Sequence, residues 1–162
     1  MLGQVPLGFS GPFLSVVVFL GFSTVSAGQT HSSNGPVAES SCLVQSYATE
    51  RLAVWQHRLN LDDWNISVAV VRASDLKPRT LGNIHWDTGS KSAVIRVLDP
   101  VDYTLKGQAM LRDVEFTVVH ELIHLELAPV LSPLERTDAN RRDEEHAVNH
   151  MADALLKLDR GR

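Results

Sequence analysis

Along residues 43–59 the apolar positions Leu43, Val44, Tyr47, Leu52, Val54, Trp55 and Leu59 recur at roughly helical spacing, with Glu50, Arg51 and Arg58 between them. Such a pattern predicts an amphipathic first helix that leaves its charged residues to solvent. The period then changes. Trp64–Arg72 (WNISVAVVR) is rich in β-branched residues and lies between Asp62, Asp63 and Ser74, Asp75, which predicts a strand. Thr80–Asp87 and Ser92–Asp99 flank a polar turn at 87–90 and are expected to form a hairpin that Pro100 ends. Helical spacing returns from about Gln108 to Leu127, with the end expected before Pro129, which cannot continue a helix. A last helix is expected to begin between Ser132 and Asp138, where two capping arrangements occur, and to run to about Lys157. Its inward stripe reads Val148, Met151, Ala152, Leu155 and Leu156. The class implied is α+β: a leading helix, a small mostly antiparallel sheet of three or more strands, then two helices.

The first 27 residues follow a different rule. Pro12–Phe22 is an apolar run too short to span a bilayer comfortably, and the small residues Thr24, Val25, Ser26 and Ala27 after it suit signal-peptidase cleavage. Residues 1–27 are therefore read as a secretory signal, which makes the chain secreted or periplasmic and leaves no stable membrane association after cleavage; an uncleaved membrane anchor is the alternative. Residues 28–41 are polar with no hydrophobic period and read as a flexible linker, so the folded domain is expected over 42–162. Its length suits one core. Cys42 is the only cysteine, so no internal disulfide can form, and a buried inert thiol is expected. The formal charge of −4 and the absence of a basic run argue against nucleic acid as a partner.

The helix at 108–127 is apolar on both sides, as if sandwiched between other elements, yet it carries VVHELIHLEL at 118–127. An imidazole inside a protein needs hydrogen-bond partners or a metal to offset its desolvation. His120 and His124 lie one turn apart on one helix face and can converge on a single ion, while Glu121 is rotated towards a water on that ion. This is the HExxH pattern. A catalytic zinc site uses three protein ligands and keeps a fourth position open, so a third donor is required. Glu145 is the best placed, because it shares a face with Val148, Asn149 and Ala152, and an antiparallel helical hairpin would bring it level with His124. Glu144 is the neighbouring alternative, and His146 and His150 are expected on the solvated side.

HELIH followed twenty residues later by EHAVN resembles the gluzincin class of zinc metallopeptidases in its minimal single-domain form, the minigluzincins, and is similar to the ImmA/IrrE-type peptidases. The likeness covers about Trp64 to Leu156 and implies a zincin-like fold with one Zn2+ held by His120, His124 and Glu145. It further implies Glu121 as general base in the hydrolysis of peptide bonds by a zinc-bound water. In many gluzincins an acidic residue four after the ligand glutamate supports a zinc-bound histidine; Asn149 stands here instead.

The expected partner is thus a peptide or protein substrate, lying extended along an edge of the hairpin. His85, Tyr103, His146 and Arg141 are the candidates for stabilising an oxyanion, and Trp86 is expected in the core. The competing reading is an exported, non-enzymatic module whose metal is structural or whose two histidines are core residues.

Overall fold

A computed structural model describes residues 35–161; the expected signal segment and residues 28–34 of the expected linker lie outside the described residues. The elements are α1 (Gly35–Arg58), β1 (Asn65–Val71), a short 3-10 turn, β2 (Gly82–Asp87), β3 (Ser92–Leu98), α2 (Gly107–Leu131) and α3 (Asp138–Asp159). The class is α+β. None of the described helices is long and apolar enough to cross a membrane.

Each helix departs from its sequence pattern for a local reason. α1 begins at Gly35, so residues 35–41 are helical and not linker. That first stretch is mostly exposed and has no apolar stripe to announce it; it extends a helix whose next turns are packed, which costs less than starting a new one. The hydroxyl of Ser41 lies 3.1 Å from both the Val37 carbonyl and the Asp99 carboxylate and can donate to either, the latter contact tying this end to the exit of β3. The buried stripe is Val44, Ala48, Leu52 and Trp55. Leu43 and Cys42 fall outside it and are exposed, contrary to the expected buried thiol.

α2 passes through Pro129 to Leu131. In the last turn a proline forfeits only one N–H, and both Pro129 and Val130 are exposed, so the break expected there does not occur. α3 starts at the second of the two possible caps: the Thr137 hydroxyl accepts from the Asn140 amide at 3.1 Å. Val148, Ala152 and Leu156 form its buried stripe, whereas Met151 lies at the rim, exposed.

The sheet order is β1-β3-β2, with β1 parallel and β2 antiparallel to β3. The expected hairpin is present, but the sheet is mixed, not mostly antiparallel. The connection over residues 72–81 carries the chain from one side of the future central strand to the other, and β3 then fills the gap. The register aligns Ile66, Val68 and Val70 of β1 with Ala93, Ile95 and Val97 of β3, and Ile84 of β2 with Ile95. This face is covered by helices: α1 over β1, α2 over β2 and β3, and α3 against the far side of α2. α2 is therefore the sandwiched element that its two-sided apolarity predicts. Trp86, expected in the core, is left 42 % exposed because it lies on a strand with, among the described residues, no further strand beside it.

The two sheet edges are treated differently. On β1, the side-chain amide of Gln45 donates to the Val68 carbonyl at 2.8 Å and accepts from the Val70 amide at 3.1 Å, imitating a neighbouring strand. Among the described residues, no strand pairs with the outer edge of β2. β2 also lies very close to α2: a Cβ at Gly82 would collide with the Thr117 methyl group and the Arg96 carbonyl. Only glycine permits that approach, which brings the start of β2 alongside the helix turn bearing His120.

Candidate metal centre

α2 carries its apolar residues towards α1, α3 and the sheet, and at the seam with α3 the side chains become polar. His120 and His124, one turn apart, direct their Nε2 atoms at each other across 3.0 Å. Glu145 comes from the second turn of α3 and lies 3.3 Å from Nε2 of His120 and 3.5 Å from Nε2 of His124. One ligand atom from each of the three residues falls within 4.8 Å of the others. Ligands at about 2.0–2.1 Å from a tetrahedral zinc are about 3.3 Å apart, so this triangle fits such an ion. Two imidazole nitrogens and a carboxylate oxygen are also its ordinary donors. The group of His120, His124 and Glu145 could hold a metal ion, as the i, i+4 spacing and the helical-face argument predict.

Glu144, the alternative ligand, has a different position. Its Oε1 lies 3.0 Å from Nδ1 of His124 on the opposite side of that ring, and its Oε2 accepts from Arg136 at 2.6 Å. Consecutive helical residues diverge by about 100°, so adjacent glutamates can address the two nitrogens of one imidazole. A carboxylate on Nδ1 fixes the tautomer, leaving the Nε2 lone pair for a metal. The doubled glutamate was the signal for this role, although spacing alone presents both residues as rival ligands.

The ring of His120 has no carboxylate on its second nitrogen. Asn149 lies beside it and favours its charged form, but Nδ1 is buried without a hydrogen-bond partner of good geometry. Burial and the neighbouring His124 push the His120 pKa below the usual histidine value, against the opposing pull of Glu145 and Asn149. The neutral imidazole thus favoured is the metal-binding form. Phe116 packs against the same ring, with centroids 6.0 Å apart.

Glu121 is 7 % exposed and makes no hydrogen bond or ion pair among the described residues. Burial first, and the Glu145 carboxylate second, raise its pKa to about 8. A dication beside Glu145 would reverse the second contribution and favour the carboxylate. Glu121, both histidines, Glu145 and Asn149 line one cavity of about 360 Å3, whose opposite wall is the 77–83 segment leading into β2.

Of the four expected oxyanion candidates, Tyr103 is buried in the core, and His85 is exposed on β2; neither lines this cavity. His146 and Arg141 line an adjoining cavity that shares Lys77, Glu145 and Asn149 with the first. His146 is exposed as expected and packs on His150 with ring centroids 4.1 Å apart. Lys77, Arg79, Gly82 and Asn83 belong to the site without any motif having marked them. Gly82 between two polar-flanked segments was the one available sign of a close backbone approach. No protein-family model, curated protein or solved structure matches the chain.

Proposed function

We propose that the chain is a zinc-dependent metallopeptidase of the gluzincin type, in a minimal zincin-like form. The observation that carries this reading is the meeting of the two Nε2 atoms and Glu145 in one cavity with a buried carboxyl group, Glu121, that nothing else engages. His120, His124 and Glu145 would hold the ion, with Glu144 fixing the His124 ring. When bound, zinc supplies Lewis acidity, polarising a scissile carbonyl and making a water acidic near neutral pH.

The chain's own residues do the rest. Glu121 accepts the proton of the attacking water and returns it to the departing amine, acting as the carboxylate that an ion beside Glu145 would favour. The free edge of β2 offers backbone groups to an extended peptide beside the cavity, while Gln45 closes the opposite edge of the sheet.

The test has two parts. Elemental analysis of the full chain should give one zinc per molecule, and the His120→Ala, His124→Ala double variant should contain none. Glu121→Gln should retain zinc and lose hydrolysis of a mixed peptide digest that wild type cleaves. A variant that cleaves as well as wild type removes Glu121 as base; zinc-loaded wild type that cleaves nothing leaves a structural metal module.

A further inference from the structure

Among the described lysines and arginines, Lys77, Arg79, Arg96, Arg112, Arg141 and Arg142 make no hydrogen bond or ion pair through their side chains. The others are engaged: Arg51 and Arg160 with Glu115, Arg72 with Asp102, Lys91 with Asp63, Lys157 with Asp153, and Arg58 with Asp159. Arg136 is taken up by Glu144, and Lys106 by two backbone carbonyls. Apart from Arg96 and Arg112, every free cation lies on the two joined cavities at the metal centre. Lys77 and Arg79 come from the wall opposite α2, and Arg141 and Arg142 from the first turns of α3. Arg79 takes φ 67°, a left-handed conformation costly for a side chain of its kind.

A chain with formal charge −4 thus gathers uncompensated positive charge at one place. The acidic groups on the walls of the second cavity are Glu144, already shared by Arg136 and His124, and Glu145, turned to the histidines. Neither neutralises Arg141, Arg142 or Lys77. This second cavity, of about 550 Å3, opens directly beside Glu145 and is large enough for a side chain or a chain end. Guanidinium forks recognise carboxylates through paired hydrogen bonds, and a rim of one sign raises the local concentration of the opposite sign.

We propose that the cavity whose free cations are Lys77, Arg141 and Arg142, with His146 on its wall, binds a carboxylate of the peptide, so that the preferred substrates are acidic. This rests on the peptidase reading for the identity of the ligand as a peptide. The carboxylate comes from an aspartate or glutamate side chain or from the free C-terminus, and the two sources can be separated.

The test is fluorescence anisotropy on the full zinc-loaded Glu121→Gln chain, which reports binding without turnover. Four labelled peptides of one length are compared: glutamate-containing or glutamine-matched, each with an amidated or a free C-terminus. Glutamate peptides, free-ended peptides, or both should bind at least about tenfold more tightly than the amidated glutamine peptide. The advantage should shrink with added salt and disappear in Arg141→Glu, Arg142→Glu, whose exposed positions make unfolding easy to exclude by circular dichroism. Preference for glutamate alone assigns the cavity to a side chain, and preference for free ends assigns it to the terminus. Equal binding of all four peptides, absence of binding by any, or an advantage that survives the charge reversal overturns the proposal. Cleavage of the mixed digest by wild type decides the peptidase reading separately.

Discussion

α2 holds two glutamates within two turns of each other, both almost withdrawn from water, and they have opposite surroundings. Glu115 is 4 % exposed and engaged on every side: Arg51 donates at 2.7 Å, Trp55 at 3.1 Å, Arg160 at 2.8 Å and Tyr47 at 3.4 Å. Burial alone would raise its pKa, but these donors more than offset it and hold the carboxyl below its ordinary value. Glu121 is buried to nearly the same degree with no donor, and its pKa rises to about 8. The comparison teaches that burial alone does not decide what a charged residue is for. A carboxylate with four donors fastens α1, α2 and the chain's end together; one with none is held at a cost in stability and has its lone pairs available for something else.

The largest expected effect that would break this contrast is on hydrolysis. Glu121→Gln should reduce peptide cleavage by about 10²–10⁴-fold while Glu115→Gln, if folded, leaves the rate per zinc-loaded molecule near wild type. Comparable losses in both variants would mean that α2 is simply intolerant of change.

Next comes stability. Glu115→Ala strands Arg160 and leaves Arg51 only Asp159 at 3.6 Å, and should cost about 3 kcal/mol by urea denaturation, whereas Glu121→Gln in chelator should be neutral or stabilising. A destabilised Glu121→Gln would show that the carboxyl has a structural partner after all.

The pH dependences should run in opposite directions. Glu115 has a folded pKa below its unfolded value of 4.5, so its contribution is complete above that pH and is lost as pH falls through the folded value. Glu121 has a folded pKa of about 8 against 4.5 unfolded, so metal-free protein should lose stability as pH rises from 4.5 through about 8. Thermal melts in chelator from pH 5 to 9 should show this decline in the difference between wild type and Glu121→Gln, which cancels the opposite contribution of His120, and zinc should suppress it. A flat difference profile would remove the unusual character of Glu121.

The smallest effect concerns Glu144. Loss of its charge in Glu144→Gln should weaken zinc binding about tenfold, less than the loss from Glu145→Ala, as read by competition with a fluorescent chelator. The reverse order would exchange the two roles.

The parts of this picture that were legible in the sequence are those set by local periodicity. HELIH on a helix places two imidazoles on one face, and the inward stripe of α3 places Glu145 at the same seam; both follow from a 3.6-residue turn. The strands of β2 and β3 pair as their short turn requires. What was not legible depends on distant encounters. The parallel pairing of β1 with β3 arises from where the 72–81 connection crosses, and nothing within β1 encodes its neighbour. Lys77 and Arg79 reach the site through that same connection, and the exposed first turns of α1 have no pattern to read. Glu144 could be seen as a candidate but not assigned, because which nitrogen it faces depends on how α3 is set against α2.

The amide of Gln45 on the outer edge of β1 has a consequence for assembly. With the middle of that edge engaged and, among the described residues, no strand on β2's outer side, the sheet favours strand addition on the β2 side. Two copies meeting through β2 would satisfy each other's open edge, while the Gln45 amide on β1 would hinder growth from the other side.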